Sequence, residues 1–243
     1  MNNEVIMNKI KKLQEMINES NEIVFFGGAG VSTDSGIKDF RSKDGLYNQK
    51  HKQNLMYMLS VDCFNKEPKN FFDFYRENFN CLMVQPNITH KYLKKLEDVG
   101  KLKAIVTQNI DGLHQKAGST NVYEVHGTLY ENYCLECHEF YSAEYIFNSV
   151  EVPKCKCGSI IKPKVTLYGE MLPEAYSQAQ QIIYEADMLI VAGTSLTVEP
   201  ASSLVRMFKG KYLVIINNDA TFYDSKATLV LNNNLKDVFS NLK

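Results

Sequence analysis

Ile23-Val24-Phe25-Phe26-Gly27-Gly28-Ala29-Gly30 is the stretch on which the fold turns. Four apolar residues in an unbroken run suit a strand buried on both faces, as inside a parallel sheet. The run stops abruptly at glycine. Further along, Ala104-Ile105-Val106 ends in Gln108-Asn109-Ile110-Asp111, and Met188-Leu189-Ile190-Val191 ends in Gly193-Thr194-Ser195. Tyr212-Leu213-Val214-Ile215-Ile216 ends in Asn217-Asn218-Asp219, and Thr228-Leu229-Val230-Leu231 ends in Asn232-Asn233-Asn234. Helical patterns separate most of these runs. Ile6, Ile10, Leu13 and Ile17 are spaced 4, 3 and 4 apart, which predicts an amphipathic helix over residues 4–19. Similar patterns cover 88–99 (closed by Gly100), 174–186 and 199–209. Strand–helix alternation predicts an α/β fold with a doubly wound parallel sheet. Every strand delivers small or amide-bearing residues at its carboxyl end, the edge where open α/β sheets bind ligands.

At 243 residues the chain is long enough for one large domain with a smaller satellite. Hydrophobic residues make up 44% of it, enough for a substantial core. A net charge of -1 argues against a basic nucleic-acid stripe or an acidic tail, so no specific nucleic-acid partner is expected. The first twelve residues are polar and charged, unlike a secretory signal. No apolar run approaches the roughly 20 residues that cross a bilayer, so no membrane partner is expected. Six cysteines are too few for a disulfide scaffold, and four sit at metal-like spacing, which points to a reducing, cytoplasmic location. Cys63 and Cys81 lie outside that cluster and read as core thiols.

Two stretches depart from the regular pattern. Residues 37–83 are rich in aromatics, including Phe64, Phe71, Phe72, Phe74, Tyr75 and Phe79. Residues 132–164 hold Cys134, Cys137, Cys155 and Cys157. Four thiolates make a closed tetrahedral zinc site with no open position for water, hence a structural metal. His138 is a competing ligand by position, and a nucleic-acid-binding zinc ribbon is the rival reading of the module. The glycine loop departs from a dehydrogenase fingerprint: Thr33 stands at the third glycine position, and Gln49, Lys50, His51 and Lys52 occupy the region where a ribose-binding acid is expected. The loop runs instead into Asp39-Phe40-Arg41-Ser42. Arg41 is suited to a phosphate, Phe40 to covering a flat cation, and Asp39 to orienting the loop. A buried ring beside a surface ion pair would explain the same residues.

Together these segments resemble the sirtuins, NAD-dependent protein-lysine deacylases. The resemblance runs from about residue 20 to 235. It rests on Gly28-Ala29-Gly30-Val31-Ser32, Ser35-Gly36-Ile37, Asp39-Phe40-Arg41-Ser42, Thr107-Gln108-Asn109-Ile110-Asp111-Gly112-Leu113-His114, His126-Gly127, the four cysteines, Gly169-Glu170, and Gly193-Thr194-Ser195-Leu196-Thr197-Val198-Glu199-Pro200. Two departures stand out: Lys38 replaces a usual proline, and Cys155 and Cys157 have one intervening residue where two or more are common.

The resemblance implies a Rossmann-like NAD-binding domain over 1–36, 84–126 and 165–243, a cofactor loop and helical insertion over 37–83, and a zinc-binding module over 127–164. It implies NAD as co-substrate, one structural zinc, and transfer of an acetyl group from lysine to the NAD ribose, releasing nicotinamide and O-acetyl-ADP-ribose. His126 is implied as general base, apt for a group that titrates near neutrality. Asn109 would orient the ribose or a water, Gln108 would contact the ribose, and Asp111 would bond the nicotinamide carboxamide. Ala29, Thr33 and Arg41 would line the diphosphate side. Thr194 and Ser195 would bind phosphate or ribose, and Asn217 and Asn234 the adenosine end. Phe40, Ile37 and Ile110 would wall a dry pocket, and His114 is read as structural. Acetylated protein substrates are expected as an added strand between residues 165–169 and 197–199. An ADP-ribosyltransferase or NAD hydrolase on the same scaffold, and a non-enzymatic NAD-responsive module, remain as alternatives. For acyl choice, Tyr57 is followed three residues later by Ser60, where relatives preferring acidic acyl groups carry arginine. With Leu55, Met56, Met58 and Leu59 nearby, neutral acyl groups are expected.

Overall fold

Alternate side chains of the strand Ile23–Gly27 enter two different cores. Ile23 and Phe25 join one buried cluster, Val24 and Phe26 the other, and all four are at most 1% exposed. A strand apolar on both faces must be covered on both, which calls for helices above and below. The computed structural model describes residues 3–42, 45–48 and 55–243, so the expectation at Gln49 to Lys52 lies outside the described residues.

In chain order the elements are α1 (Asn3–Glu19), β1 (Ile23–Gly27), α2 (Leu55–Met58), α3 (Val61–Lys66), α4 (Pro68–Phe79), α5 (Ile88–Asp98), β2 (Leu102–Thr107), α6 (Leu113–Lys116), β3 (Val122–Glu124), β4 (Gly127–Cys134), β5 (Phe140–Tyr141), α7 (Ala143–Asn148), β6 (Ile161–Val165), α8 (Glu174–Glu185), β7 (Met188–Ala192), β8 (Tyr212–Asn217), β9 (Leu229–Asn232) and α9 (Leu235–Ser240). Six strands form a parallel sheet in the order β3-β2-β1-β7-β8-β9. Helices α1, α5 and α9 cover one face through Leu13, Ile17, Leu93, Leu96, Val238 and Phe239. On the other face lie α8 and a 3-10 helix, through Ala179, Ile183, Leu204 and Val205. The strand order reverses between β1 and β7, and a crevice forms at such a switch point beyond the strand ends.

The five expected strands are present with small boundary shifts: the strand expected at 104–106 runs over Leu102–Thr107, and the one expected at 228–231 is Leu229–Asn232. A sixth, β3, was not anticipated. The helix expected over 199–209 is a 3-10 helix, Ala201–Met207. Its first turn closes by a three-residue step, Ser203 N–H to Pro200 O, and the Ser203 hydroxyl donates to the same carbonyl at 2.6 Å. Such local side-chain bonds compete with the α-helical ladder.

The two irregular stretches share one core. Phe64, Phe71, Phe72 and Tyr75 from the helical insertion pack in the same cluster as Leu129, Ala143, Ile146 and Ile161. Leu129 and Ile161 come from the cysteine-bearing sheet, whose order is β5-β4-β6, and Ala143 and Ile146 from α7. Among the described residues no helix is long and apolar enough to cross a membrane.

Candidate functional site

Beyond the carboxyl ends of β1 and β7 the two backbones nearly touch. Gly30 N–H donates to Gly193 O at 2.8 Å. A Cβ on Gly28 would lie 2.7 Å from Thr194 Cβ, and one on Gly30 would lie 2.8 Å from Gly193 Cα. No larger residue fits there without moving backbone. This approach forms one wall of a cavity of about 1050 Å³, roomy enough for a large cofactor.

Hydrogen bonds between strand ends fix the floor. Gln108, after β2, donates from Nε2 to Thr194 Oγ1 at 3.0 Å. Asn217, at the end of β8, accepts from Thr194 N–H at 3.0 Å and donates to Thr194 O at 2.9 Å. Asn109 donates from Nδ2 to Ser32 Oγ at 3.1 Å, and Ser32 donates to Asp111 Oδ2 at 2.6 Å. The other Asp111 oxygen accepts from Leu113 N–H at 3.0 Å. Ser32 carried no role in the sequence reading, yet it joins the two residues that did. Burial pushes the Asp111 carboxyl up, against the bonds from Ser32, Leu113 and Asn109 that pull it down.

His126 follows β3 and its side chain meets the same cavity. Its Nδ1 lies 3.0 Å from Gln108 O. A carbonyl only accepts, so Nδ1 carries the proton and Nε2 keeps its lone pair. Burial lowers the imidazole below its ordinary value, and the Gln108 carbonyl offsets part of that. The ring is therefore neutral at neutral pH, as a base must be. Gly127 holds it in place: its φ is +76°, and a Cβ there would lie 2.0 Å from Lys164 O.

Of the residues singled out in the sequence, Ala29, Phe40, Arg41, Gln108, Asn109 and Ile110 line this cavity, as do Asp111, His126, Thr194, Ser195 and Asn217. Two do not. The Thr33 hydroxyl turns back to Gly30 O at 3.0 Å. Asn234 caps α9, its Oδ1 accepting from Lys236 N–H at 2.8 Å, which commits the side chain to the helix. His114 is buried against His90, ring centroids 4.7 Å apart, away from the cavity wall.

The loop after Gly36 folds over the cavity. Asp39 Oδ1 accepts from Ser42 N–H at 2.9 Å, and Phe40 O accepts from Tyr47 N–H at 2.9 Å. The Phe40 ring sits 6.4 Å from Phe79, and the Arg41 guanidinium 5.5 Å from the Tyr47 ring centroid. Ile37 and Leu59 supply apolar wall, while Lys38 and Arg41 bring cations that a purely apolar reading of residues 55–60 leaves out. Tyr57 is tied to Glu67 Oε1 at 2.5 Å. Residues 165–169 and Val198, Glu199 and Pro200 also border the cavity.

Away from the cavity, Cys134, Cys137, Cys155 and Cys157 bring their sulfurs within 4.8 Å of one another. The Cys134–Cys157 and Cys137–Cys155 pairs are each 3.4 Å apart. Metal–sulfur bonds of about 2.3 Å in a tetrahedron need sulfurs about 3.8 Å apart, so small adjustments complete a zinc site. His138 stays outside the cluster; it is a turn residue with φ +60°.

Residues 28–200 match the Sir2 family model. A protein of Clostridium acetobutylicum named NAD-dependent protein deacetylase is 51% identical over 241 residues, covering 96% of this chain and 98% of its own. A relative of the same name from Clostridium perfringens is 52% identical over 237 residues, covering 95% and 96%. Among solved structures, a Sir2 variant with a deacetylated p53 peptide and 3′-O-acetyl-ADP-ribose superposes with a TM-score of 0.89, at 38% identity over 96% of each chain. A Sir2 complex with p53 peptide and NAD+ superposes at 0.84, with 38% identity over 95% of each. Both the glycine approach and the four cysteines fall within the matched segment, and the chain is a member of the Sir2 family.

Proposed function

We propose that this chain is an NAD-dependent protein-lysine deacetylase that holds one structural zinc. The observation that carries the reading is His126, with Nδ1 bound to a carbonyl and Nε2 left as a proton acceptor at the cavity that Asn109 and Asp111 share. Relatives over nearly the whole chain length bear that activity as their name. The close glycine approach and the cavity volume fit a dinucleotide. Ala29 and Arg41 would face its diphosphate, Gln108, Thr194 and Ser195 its riboses, and Asn217 its adenosine end. NAD, when bound, supplies the ribose carbon that receives the acyl oxygen. His126 takes a proton from a ribose hydroxyl at Nε2. Asn109, anchored on Ser32, orients the groups beside it, and Asp111 accepts from the nicotinamide amide. Phe40, Ile37 and Ile110 exclude water from an electron-poor carbon.

The acetylated substrate adds as an extended strand between residues 165–169 and 197–199, where main-chain pairing tolerates many sequences. Neutral acyl groups are preferred, because Leu59 stands in the wall and Tyr57 is held by Glu67. The cation-bearing loop residues, Lys38 and Arg41, serve the phosphates. We read 1–36, 84–126 and 165–243 as the NAD-binding unit, with 37–83 and 127–164 as its insertions. No disulfide joins the described cysteines, in keeping with the cytoplasm. The test is product analysis with NAD and an acetyl-lysine peptide. Free lysine formed together with O-acetyl-ADP-ribose supports the reading, and NAD cleavage without deacetylation refutes it.

A further inference from the structure

The main cavity continues past Glu199. A second depression of about 670 Å³ adjoins it, and Glu199 stands in the walls of both. The second depression has an apolar surface from Leu196 and Phe222 and a rim that carries Arg206 and Lys226. Phe222 is 90% exposed, so its ring adds little to the fold and leaves apolar surface in water beside Leu196 at the mouth of the cavity. The loop holds it there. Thr221 Oγ1 accepts from Tyr223 N–H at 3.2 Å and donates to Asp224 Oδ1 at 2.6 Å. The neighbouring Tyr223 is buried, and its hydroxyl accepts from Arg206 Nε at 2.9 Å. Arg206 also reaches Glu199 Oε1 at 3.4 Å. The rim thus presents two cations against one carboxylate.

We propose that this depression is a specificity subsite for the substrate chain: it receives a large apolar side chain a few residues from the acyl-lysine. The inference rests on the deacetylase reading, since it requires a peptide along residues 197–199. Thr197 faces this depression while Val198 faces the main cavity, so a strand paired there passes from one to the other. Side chains on one side of that strand would meet Phe222 while the acyl-lysine enters the main cavity. The cationic rim disfavours a lysine or arginine at the same position.

The test uses acetyl-lysine peptides in an alanine–glycine background, with a single phenylalanine placed in turn at each position within about four residues of the acetyl-lysine. One position should lower KM about tenfold, the size expected when an aromatic ring is buried. Lysine at that position should raise KM. F222A should bring the phenylalanine peptide back to the KM of the alanine peptide. A flat scan, or a preference that survives F222A, overturns the subsite. Failure of every peptide to be deacetylated with NAD overturns the reading of the main cavity instead, and the subsite falls with it.

Discussion

Replacing Ser32 by alanine removes the one hydroxyl that joins Asn109 to Asp111. Ser32 is 1% exposed, and its oxygen makes bonds of 2.6 Å and 3.1 Å in opposite directions. Ser32→Ala leaves Asp111 Oδ2 and Asn109 Nδ2 without that partner in a buried place. A hydrogen bond to a charged group contributes about 1.5–3 kcal/mol, and an orphaned buried group adds its own desolvation, so the loss is about 2–4 kcal/mol. For a chain this long each kcal/mol moves Tm by about 2–4 °C, so a fall of about 5–15 °C is expected. The deficit depends on pH. Burial raises the folded pKa of Asp111 above 3.8, so its contribution to stability is full below the unfolded value and declines as pH rises through the folded one. Ser32 limits that decline by supporting the charged form. Ser32→Ala should therefore cost more above the folded pKa of Asp111 than below it. Urea unfolding of wild type, S32A, D111N and the double variant gives the coupling, expected at about 1–2 kcal/mol. Strictly additive penalties, or an S32A melting within a degree of wild type, would refute the network.

His126→Ala should abolish deacetylation while NAD still binds; in the wild type the acid limb of kcat/KM should fall below the ordinary imidazole value, because burial lowers this ring, and a limb at or above 6.5 would contradict that cause. Cys134→Ala should lower both zinc content and Tm, whereas active, purified wild type free of zinc by elemental analysis would remove the metal from the account. Burial lifts the Glu124 carboxyl to about 7, so its contribution to stability is full below about 4.5 and is lost as pH rises through about 7. Glu124→Gln should therefore gain stability relative to wild type between pH 5 and pH 8, and parallel pH profiles would show that Glu124 does not titrate there. Acetyl- and butyryl-lysine peptides should exceed a succinyl-lysine peptide in kcat/KM; a succinyl preference would mean that Lys38 or Arg41 serves the acyl group.

The strands were legible wherever both faces are apolar, because Ile23 to Phe26 or Met188 to Val191 can hardly be anything but sheet interior. Strand β3 was not: three residues, Val122 to Glu124, are all half-buried and carry no continuous apolar run. Strand β6 contains Pro163, which argues against a strand, yet it pairs beside Asn132 in a ladder whose register shifts there. The shared core of the two insertions depends on contacts between residues far apart in sequence, such as Phe71 and Ile161, that periodicity cannot show. In the site, the motifs point to His126 and Asn109, and both line the cavity. Asn234 is one asparagine in a run of three, and helix capping competes for such residues. Ser32 stands in the glycine motif with no role legible from its own position. The signal was present: Asn109 and Asp111 stand two apart after a buried strand, and a buried carboxylate needs a donor.

On the proposed function, a neutral His126 in this cavity supports acyl transfer from lysine to NAD. The most direct test is mass spectrometry of the products from wild type and His126→Ala with NAD and an acetyl-lysine peptide. Wild type should give free lysine, nicotinamide and O-acetyl-ADP-ribose in equal amounts, and the variant neither free lysine nor O-acetyl-ADP-ribose above background. Nicotinamide and ADP-ribose from wild type with the acetyl group still on lysine would contradict it.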